Sequence, residues 1–178
     1  MKKIIILDRD GVINYDSDKF IKSADEWHPL PGSLEAIARL NHAGYQIFIA
    51  SNQSGIARGL FTLDDLNQIH NKLHKQLAKI NAKIEAIFFC PHGPKDNCLC
   101  RKPLPGLFHQ IANYLDSTLI DVIAVGDSLR DLQAANAVGA KPILVLTGKG
   151  KRTVNQLTSE IAIYDDLAAV VENLLTNN

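Results

Sequence analysis

Apolar residues in this chain fall into two alternating patterns. Short runs, nearly free of polar interruption, cover residues 4–7, 47–50, 84–89, 122–125 and 143–146. Runs of that length without polar alternation predict strands of a parallel sheet covered on both faces. Between them, apolar residues recur every third or fourth position, which predicts amphipathic helices. The spacing of Leu34, Ile37 and Leu40 predicts a helix over 33–43, with Ser33 at the N-cap and Gly44 ending it. Leu66, Ile69, Leu73 and Leu77 form the stripe of a second helix over 63–78. Further helices are expected over 107–115, 132–138 and 167–175, and an irregular loop over 90–105. There are no repeats, low-complexity tracts or dividing linkers, so residues 1–178 are expected to form one α/β domain. It would have three layers, with helices on both faces of a central parallel sheet.

In such a sheet, ligands bind beyond the carboxyl ends of the strands. Four polar segments follow strands here: 8–14, 51–55, 90–102 and 126–131. Asp8 and Asp10 are two apart at a strand end, so they point to the same side, and Gly11 permits a turn after them. A single aspartate there reads as a turn former. Together with Asp127, after another strand, the pair reads as a functional cluster. Converging carboxylates repel one another, and all-oxygen ligation suits a hard cation such as magnesium. Asp131, one turn further on, either adds charge or caps a helix. The turn Ser51-Asn52-Gln53-Ser54-Gly55 offers hydroxyls and N–H groups to a phosphate, and Lys102 offers a positive charge. A nucleophile, a metal and phosphate donors are the parts phosphoryl transfer needs.

Charge narrows the partners. Lys plus Arg number 19 and Asp plus Glu number 19, which disfavours binding nucleic acid through a broad basic face. The apolar run before Asp8 is too short for an export signal, and no stretch approaches a membrane span. Three close cysteines do not suggest a secreted disulfide framework, and a cytoplasmic location is expected. Instead Cys90, His92, Cys98 and Cys100 supply four ligands in eleven positions, as a closed structural zinc site does. The bland alternative is buried cysteines with a surface histidine. Because Cys100 adjoins Arg101 and Lys102, zinc is expected to fix that basic pair over the site. Trp27 is expected to pack, and His42, His70, His74 and His109 read as ordinary helix histidines.

The strings Asp8-Arg9-Asp10-Gly11-Val12-Ile13-Asn14, Ser51, Lys102 and Gly126-Asp127-Ser128 with Asp131 together resemble the haloacid dehalogenase superfamily of phosphatases. The resemblance implies a Rossmann-like fold and an aspartyl-phosphate mechanism. Asp8 would be the nucleophile, Asp10 the general acid and base, and Ser51 and Lys102 the phosphoryl holders. Magnesium would be bound by Asp8, the Asp10 carbonyl and Asp127. A like-charged neighbour is expected to favour the protonated form of Asp10. The short chain with its cysteine loop is similar to the histidinol-phosphatase-type branch and shows no large cap domain. Ser51 to Gly59 and Cys98 to Pro103 are similar to the heptose-bisphosphate phosphatases of that branch. That similarity implies removal of a 7-phosphate from a heptose 1,7-bisphosphate, in precursor synthesis for lipopolysaccharide, by a monomeric enzyme. It implies substrate contacts from Asp8, Arg9, Asp10, Asp16, Lys19, Ser51, Asn52, Gln53, Ser54, Arg101 and Lys102. Where that family has His-Gly-Tyr, this chain has Ser17-Asp18-Lys19-Phe20. The competing readings are a histidinol-phosphate or other small-metabolite phosphatase and a non-catalytic zinc-loop interaction module.

Overall fold

The computed structural model describes residues 3–176. Six strands run parallel in the order β3-β2-β1-β4-β5-β6. They are β1 (Lys3–Leu7), β2 (Tyr45–Asn52), β3 (Ala86–Cys90), β4 (Ile123–Gly126), β5 (Lys141–Val145) and β6 (Ala162–Tyr164). The helices are α1 (Ser33–His42), α2 (Leu63–Ala78), α3 (Gly106–Leu115), α4 (Leu129–Asn136), the short α5 (Gly150–Thr153) and α6 (Leu167–Thr176).

Each central strand feeds two cores, because successive side chains point to opposite faces. Ile5, Leu7, Ile47 and Ile49 pack under α1, α2 and α6 with Ile37, Leu40, Ile69, Leu73, Val170 and Val171. Ile6, Phe48 and Ala50 pack on the other face with Leu107, Phe108 and Ile111 of α3 and Ala134 and Ala135 of α4. The expected three layers are therefore present. β1 lies between β2 and β4, and the chain crosses over between β3 and β4. The strand order thus reverses at β1, which opens a crevice beyond the ends of β1 and β4.

The structure adds a sixth strand that the apolar pattern missed, since β6 is three residues long and mostly exposed. It also starts α4 three residues before the apolar stripe does. The first turn of α4 has Arg130 and Asp131 after a single leucine, and a reciprocal cap between Ser128 and Asp131 sets its start. Ser33 is not the N-cap of α1. Gly32 takes that place at φ 75°, and the Ser33 hydroxyl donates instead to Ile13 O (2.6 Å) and Leu30 O (2.8 Å). This ties the long segment after β1 to the helix. Trp27 is fully buried in the same core, and Lys72 of α2 donates to Ala24 O (2.6 Å) and Trp27 O (2.8 Å). α2 thereby holds the loop that carries the first polar segment. Replacing Leu73 with Ala leaves a void under α2 and should lower unfolding free energy by about 2–5 kcal/mol, with an unchanged slope in urea titration.

Candidate active site

The β1–β4 ladder places the first two carboxylates. Leu7 pairs with Val125, and Asp8 N extends the ladder by donating to Val125 O at 2.9 Å. Asp127 follows β4 at the same edge. Its carboxylate lies where no side chain could stand at Gly11 (φ 84°) or Gly148 (φ 54°), since a Cβ at either would collide with it. The segment after β5 closes over this point. Lys149 N donates to Asp127 Oδ2 (2.7 Å), Thr147 Oγ1 to Gly11 O (2.6 Å) and Thr153 Oγ1 to Asp127 O (2.9 Å). Sequence reasoning missed this fifth segment, although it follows a strand as the other four do.

Lys102 is the charge that balances the cluster. Its Nζ lies 3.0 Å from Asp8 Oδ1 and 2.6 Å from Asp131 Oδ1, and donates to Ala50 O at 2.6 Å. Burial works against its charge, but Asp131 and Asp8 outweigh that and hold its pKa above the ordinary lysine value. Its backbone is pinned by an amide: Asn52 Nδ2 donates to Lys102 O and Lys102 N donates to Asn52 Oδ1, both at 3.0 Å. Asp131 takes both roles considered for it, capping α4 and pairing with Lys102. Oxygens of Asp8, Asp127 and Asp131 lie within 4.8 Å of one another. Burial raises Asp8 to about 7 although Lys102 opposes it, and burial with Asp131 and Asp8 raises Asp127 to about 8. Such a crowd of oxygens, two held near protonation for want of positive charge, fits a hard divalent cation.

Asp10 is in a different environment from the one expected. Its carboxylate accepts from Arg9 Nε (3.0 Å) and Nη2 (2.9 Å), Asn14 Nδ2 (2.8 Å) and Gln53 Nε2 (3.0 Å). Burial alone would raise this carboxyl, but Arg9 and the three hydrogen-bond donors bring it below its usual value. The like-charge argument for a protonated Asp10 is thus overturned by its guanidinium partner. Arg9 itself is wholly buried, with Nη1 at 3.4 Å from His70 Nε2. Burial, then Arg9, drives His70 down to about 3, so the ring is neutral and accepts.

These groups wall a cavity of about 210 Å³. It is lined by Asp8, Asp10, Asp16, Asn52, Gln53, Ser54, Arg101, Lys102 and Asp127 among the residues expected from sequence. Three of the expected residues do not line it. Arg9 is in the interior, Lys19 is exposed, and Ser51 is buried with its hydroxyl accepting from Gln53 Nε2 at 2.9 Å. Arg58, Phe20, Arg130 and Lys149 line it as well, and of these Arg130 and Lys149 had no reading from sequence. Arg101 is pulled below its ordinary value by burial, then by Arg130 and Arg58, so three guanidiniums share one wall. The rim formed by 15–20 is tied across the mouth, with Asp16 3.0 Å from Lys149 Nζ, Asp18 3.3 Å from Arg152, and Phe20 under Arg58.

Beside the cavity, Cys90, His92, Cys98 and Cys100 come together. Cys90 Sγ lies 3.7 Å from Cys98 Sγ and 3.1 Å from Cys100 Sγ, and His92 Nδ1 lies 3.6 and 3.3 Å from Cys90 and Cys100 Sγ. A tetrahedral zinc with sulfur at about 2.3 Å has edges of roughly 3.5–3.8 Å, so the set fits zinc with slight expansion. Arg101 Nη1 donates to His92 O at 3.3 Å, linking this loop to the arginine wall.

A family model described as HAD-hydrolase-like matches residues 99–174. The chain is 57% identical, over 97% of its length and 98% of the relative's, to the D-glycero-beta-D-manno-heptose-1,7-bisphosphate 7-phosphatase of Bordetella bronchiseptica. It is 50% identical to the enzyme of the same name from Pseudomonas aeruginosa, with 98% of each chain covered. It superposes on the crystal structure of D,D-heptose 1,7-bisphosphate phosphatase from B. bronchiseptica, complexed with magnesium and phosphate. The TM-score is 0.97 at 56% identity, covering 99% of each chain. The corresponding structure from Burkholderia thailandensis gives 0.78 at 46% identity, covering 98% of this chain and 99% of that one.

Two outcomes follow from the site's geometry. Burial raises the carboxyls of Asp8 and Asp127, so protons compete with a cation for them as the pH falls. Affinity for magnesium should therefore weaken by at least ~10-fold from pH 8 to pH 6, with proton release seen by calorimetry in buffers of different ionisation enthalpy. Because Asn52 pins Lys102 while the cysteine loop pins Arg101, gentle removal of zinc should act mainly through the arginine. KM should rise by about tenfold, as for loss of a hydrogen bond to a charged group, while kcat stays close to its starting value in steady-state assays.

Proposed function

The chain belongs to the HAD-like hydrolases, in the family of the D-glycero-beta-D-manno-heptose-1,7-bisphosphate 7-phosphatases, and from that we propose that it removes the 7-phosphate of this heptose bisphosphate. It does so as a magnesium-dependent phosphatase in the supply of heptose precursors for lipopolysaccharide. The observation that carries the reading is that one cavity is lined both by the carboxylate cluster with Lys102 at the strand ends and by three guanidiniums, those of Arg58, Arg101 and Arg130. A bisphosphate needs both, one for the phosphoryl group that is transferred and one for the group that stays.

The roles follow from the surroundings of each residue. Asp8 Oδ1 is held by Lys102 and by Arg9 N (2.8 Å), which leaves Oδ2 to attack phosphorus. As the new P–O bond forms, the bond to the sugar breaks, and Asp10 delivers a proton to the departing alkoxide. The Arg9, Asn14 and Gln53 bonds suit Asp10 to the second step, in which its ionised form takes a proton from the attacking water. Phosphate charge arriving in the cavity favours protonation of Asp10 for the first step. Lys102 balances charge on the transferred group, and Asn52, Gln53 and Ser54 offer it hydrogen bonds, with Ser51 supporting Gln53. Asp8, Asp127 and the Asp10 carbonyl would hold magnesium, which when bound supplies the remaining positive charge for the phosphoryl oxygens. Asp131 is engaged by Lys102 and Ser128 and acts behind them. Zinc, held by Cys90, His92, Cys98 and Cys100, is structural, since four protein ligands leave no open position.

The reading includes a cytoplasmic monomer of one domain. A reducing compartment keeps the three cysteines as ligands, and the residues of one chain suffice to line the cavity. Among the described residues, no helix is long and apolar enough to cross a membrane.

The decisive assay compares release of phosphate from heptose 1,7-bisphosphate, in both anomers, with that from the 7-monophosphate and from histidinol phosphate. With magnesium supplied, the bisphosphate should show the highest kcat/KM, and Asp8→Asn should lower its turnover by at least ~10⁴-fold. Equal kcat/KM for the mono- and bisphosphate would remove the arginine wall from the argument.

A further inference from the structure

His70 is a buried titratable group on α2 that the reaction above leaves unused. It does not line the cavity, and its ring meets Phe89 edge-on at 6.2 Å. Its polar contact is with Arg9, whose Nη1 lies 3.4 Å from Nε2. Arg9 is 0% exposed. A wholly buried guanidinium carries a large desolvation cost, and an apolar side chain would fill the same space without it. What the guanidinium does instead is bond to Asp10 through Nε at 3.0 Å and through Nη2 at 2.9 and 3.0 Å. Because the guanidinium is planar and rigid, anchoring Nη1 at one corner sets the direction of the opposite edge. A neutral imidazole is suited to that anchor, since a protonated ring would face Arg9 with a second donor. The other titratable groups facing it are His74 on its own helix and Asp10 beyond Arg9.

We propose that His70, acting through Arg9, is a positioning residue for the Asp10 carboxyl. Its Nε2 accepts from Arg9 Nη1, aims the Nε–Nη2 edge at Asp10, and so holds the acid–base group in line with the leaving oxygen. The inference rests on the reading of Asp10 as that group. Asn14 and Gln53 bond Asp10 as well, so loss of the anchor misdirects the carboxyl without releasing it.

The leaving group provides the test. A sugar alkoxide needs the proton from Asp10 as its P–O bond breaks, whereas p-nitrophenolate leaves without one. Single-turnover phosphorylation of Asp8 is measured with heptose bisphosphate and with p-nitrophenyl phosphate, magnesium present, for the unmodified protein, Asp10→Asn, His70→Phe and His70→Gln. In His70→Phe the sugar-to-aryl rate ratio should fall by about tenfold, as for loss of one hydrogen bond to a charged group, with KM little changed. His70→Gln, which restores an acceptor, should recover most of it. An unchanged ratio in His70→Phe, equal slowing of both substrates, or no recovery in His70→Gln would overturn the proposal in favour of simple packing. If Asp10→Asn itself leaves the ratio unchanged, the acid–base premise fails and the proposal with it. If it lowers the ratio while His70→Phe does not, only the relay fails. Should His70→Phe not fold, Arg9→Lys keeps the charge but cannot bridge both partners, and an unchanged ratio there is equally fatal.

Discussion

A single buried ammonium makes this site possible. Lys102 sits between Asp8 and Asp131 with a carbonyl of β2 as its third partner. Without it, three carboxylates would face one another in a region from which water is largely excluded, and folding would have to protonate them. With it, one unit of charge is matched and the rest remains uncompensated on Asp8 and Asp127. That residual imbalance is what gives the site its appetite for a divalent ion and then for a dianionic substrate. Structure and reactivity therefore rest on the same electrostatic ledger, in which the fold balances the charges only in part.

The surrounding parts divide according to what they must resist. The residues assigned to the chemistry are held by the core elements: Asp8 by the β1–β4 ladder, Asp127 by Lys149 N and Thr153 of the segment after β5, and Asp10 by Arg9 with α2 behind it. The residues proposed to recognise the remainder of the substrate come from loops tied by weaker or longer links, such as the 15–20 rim and the arginine wall. This matches the demands of the two tasks. In-line transfer tolerates little displacement, while recognition of a sugar and its second phosphate gains from segments that can vary.

Much of this was legible in the amino-acid order. Uninterrupted apolar runs marked five of the six strands, and the polar segments after them marked the catalytic edge. What escaped did so for physical reasons. β6 is too short and too exposed to leave an apolar run. The segment Thr147 to Gly150 carries no acidic or metal-ligating side chain, and matters through the Lys149 N–H and the space Gly148 leaves for Asp127. His70 looked ordinary because its significance depends on a partner 61 residues away. Arg9 was expected to touch substrate from the family resemblance of the segment it shares with Asp8 and Asp10. One-dimensional proximity cannot say that its side chain turns inward while its neighbours' turn outward. The state of Asp10 was misjudged for the same reason, since its nearest charge proved to be a cation.

The two hydrogen bonds between the Asn52 amide and the backbone of Lys102 imitate a rung of β-ladder. The lysine is in effect grafted onto the C-terminal end of β2, although the chain reaches it through the cysteine loop. Insertions within 93–97, between two of the ligands, can then lengthen that loop without moving the ammonium. The length of 93–97 is thereby uncoupled from the position of the lysine, because the Asn52 amide, and not the loop, sets where the ammonium stands.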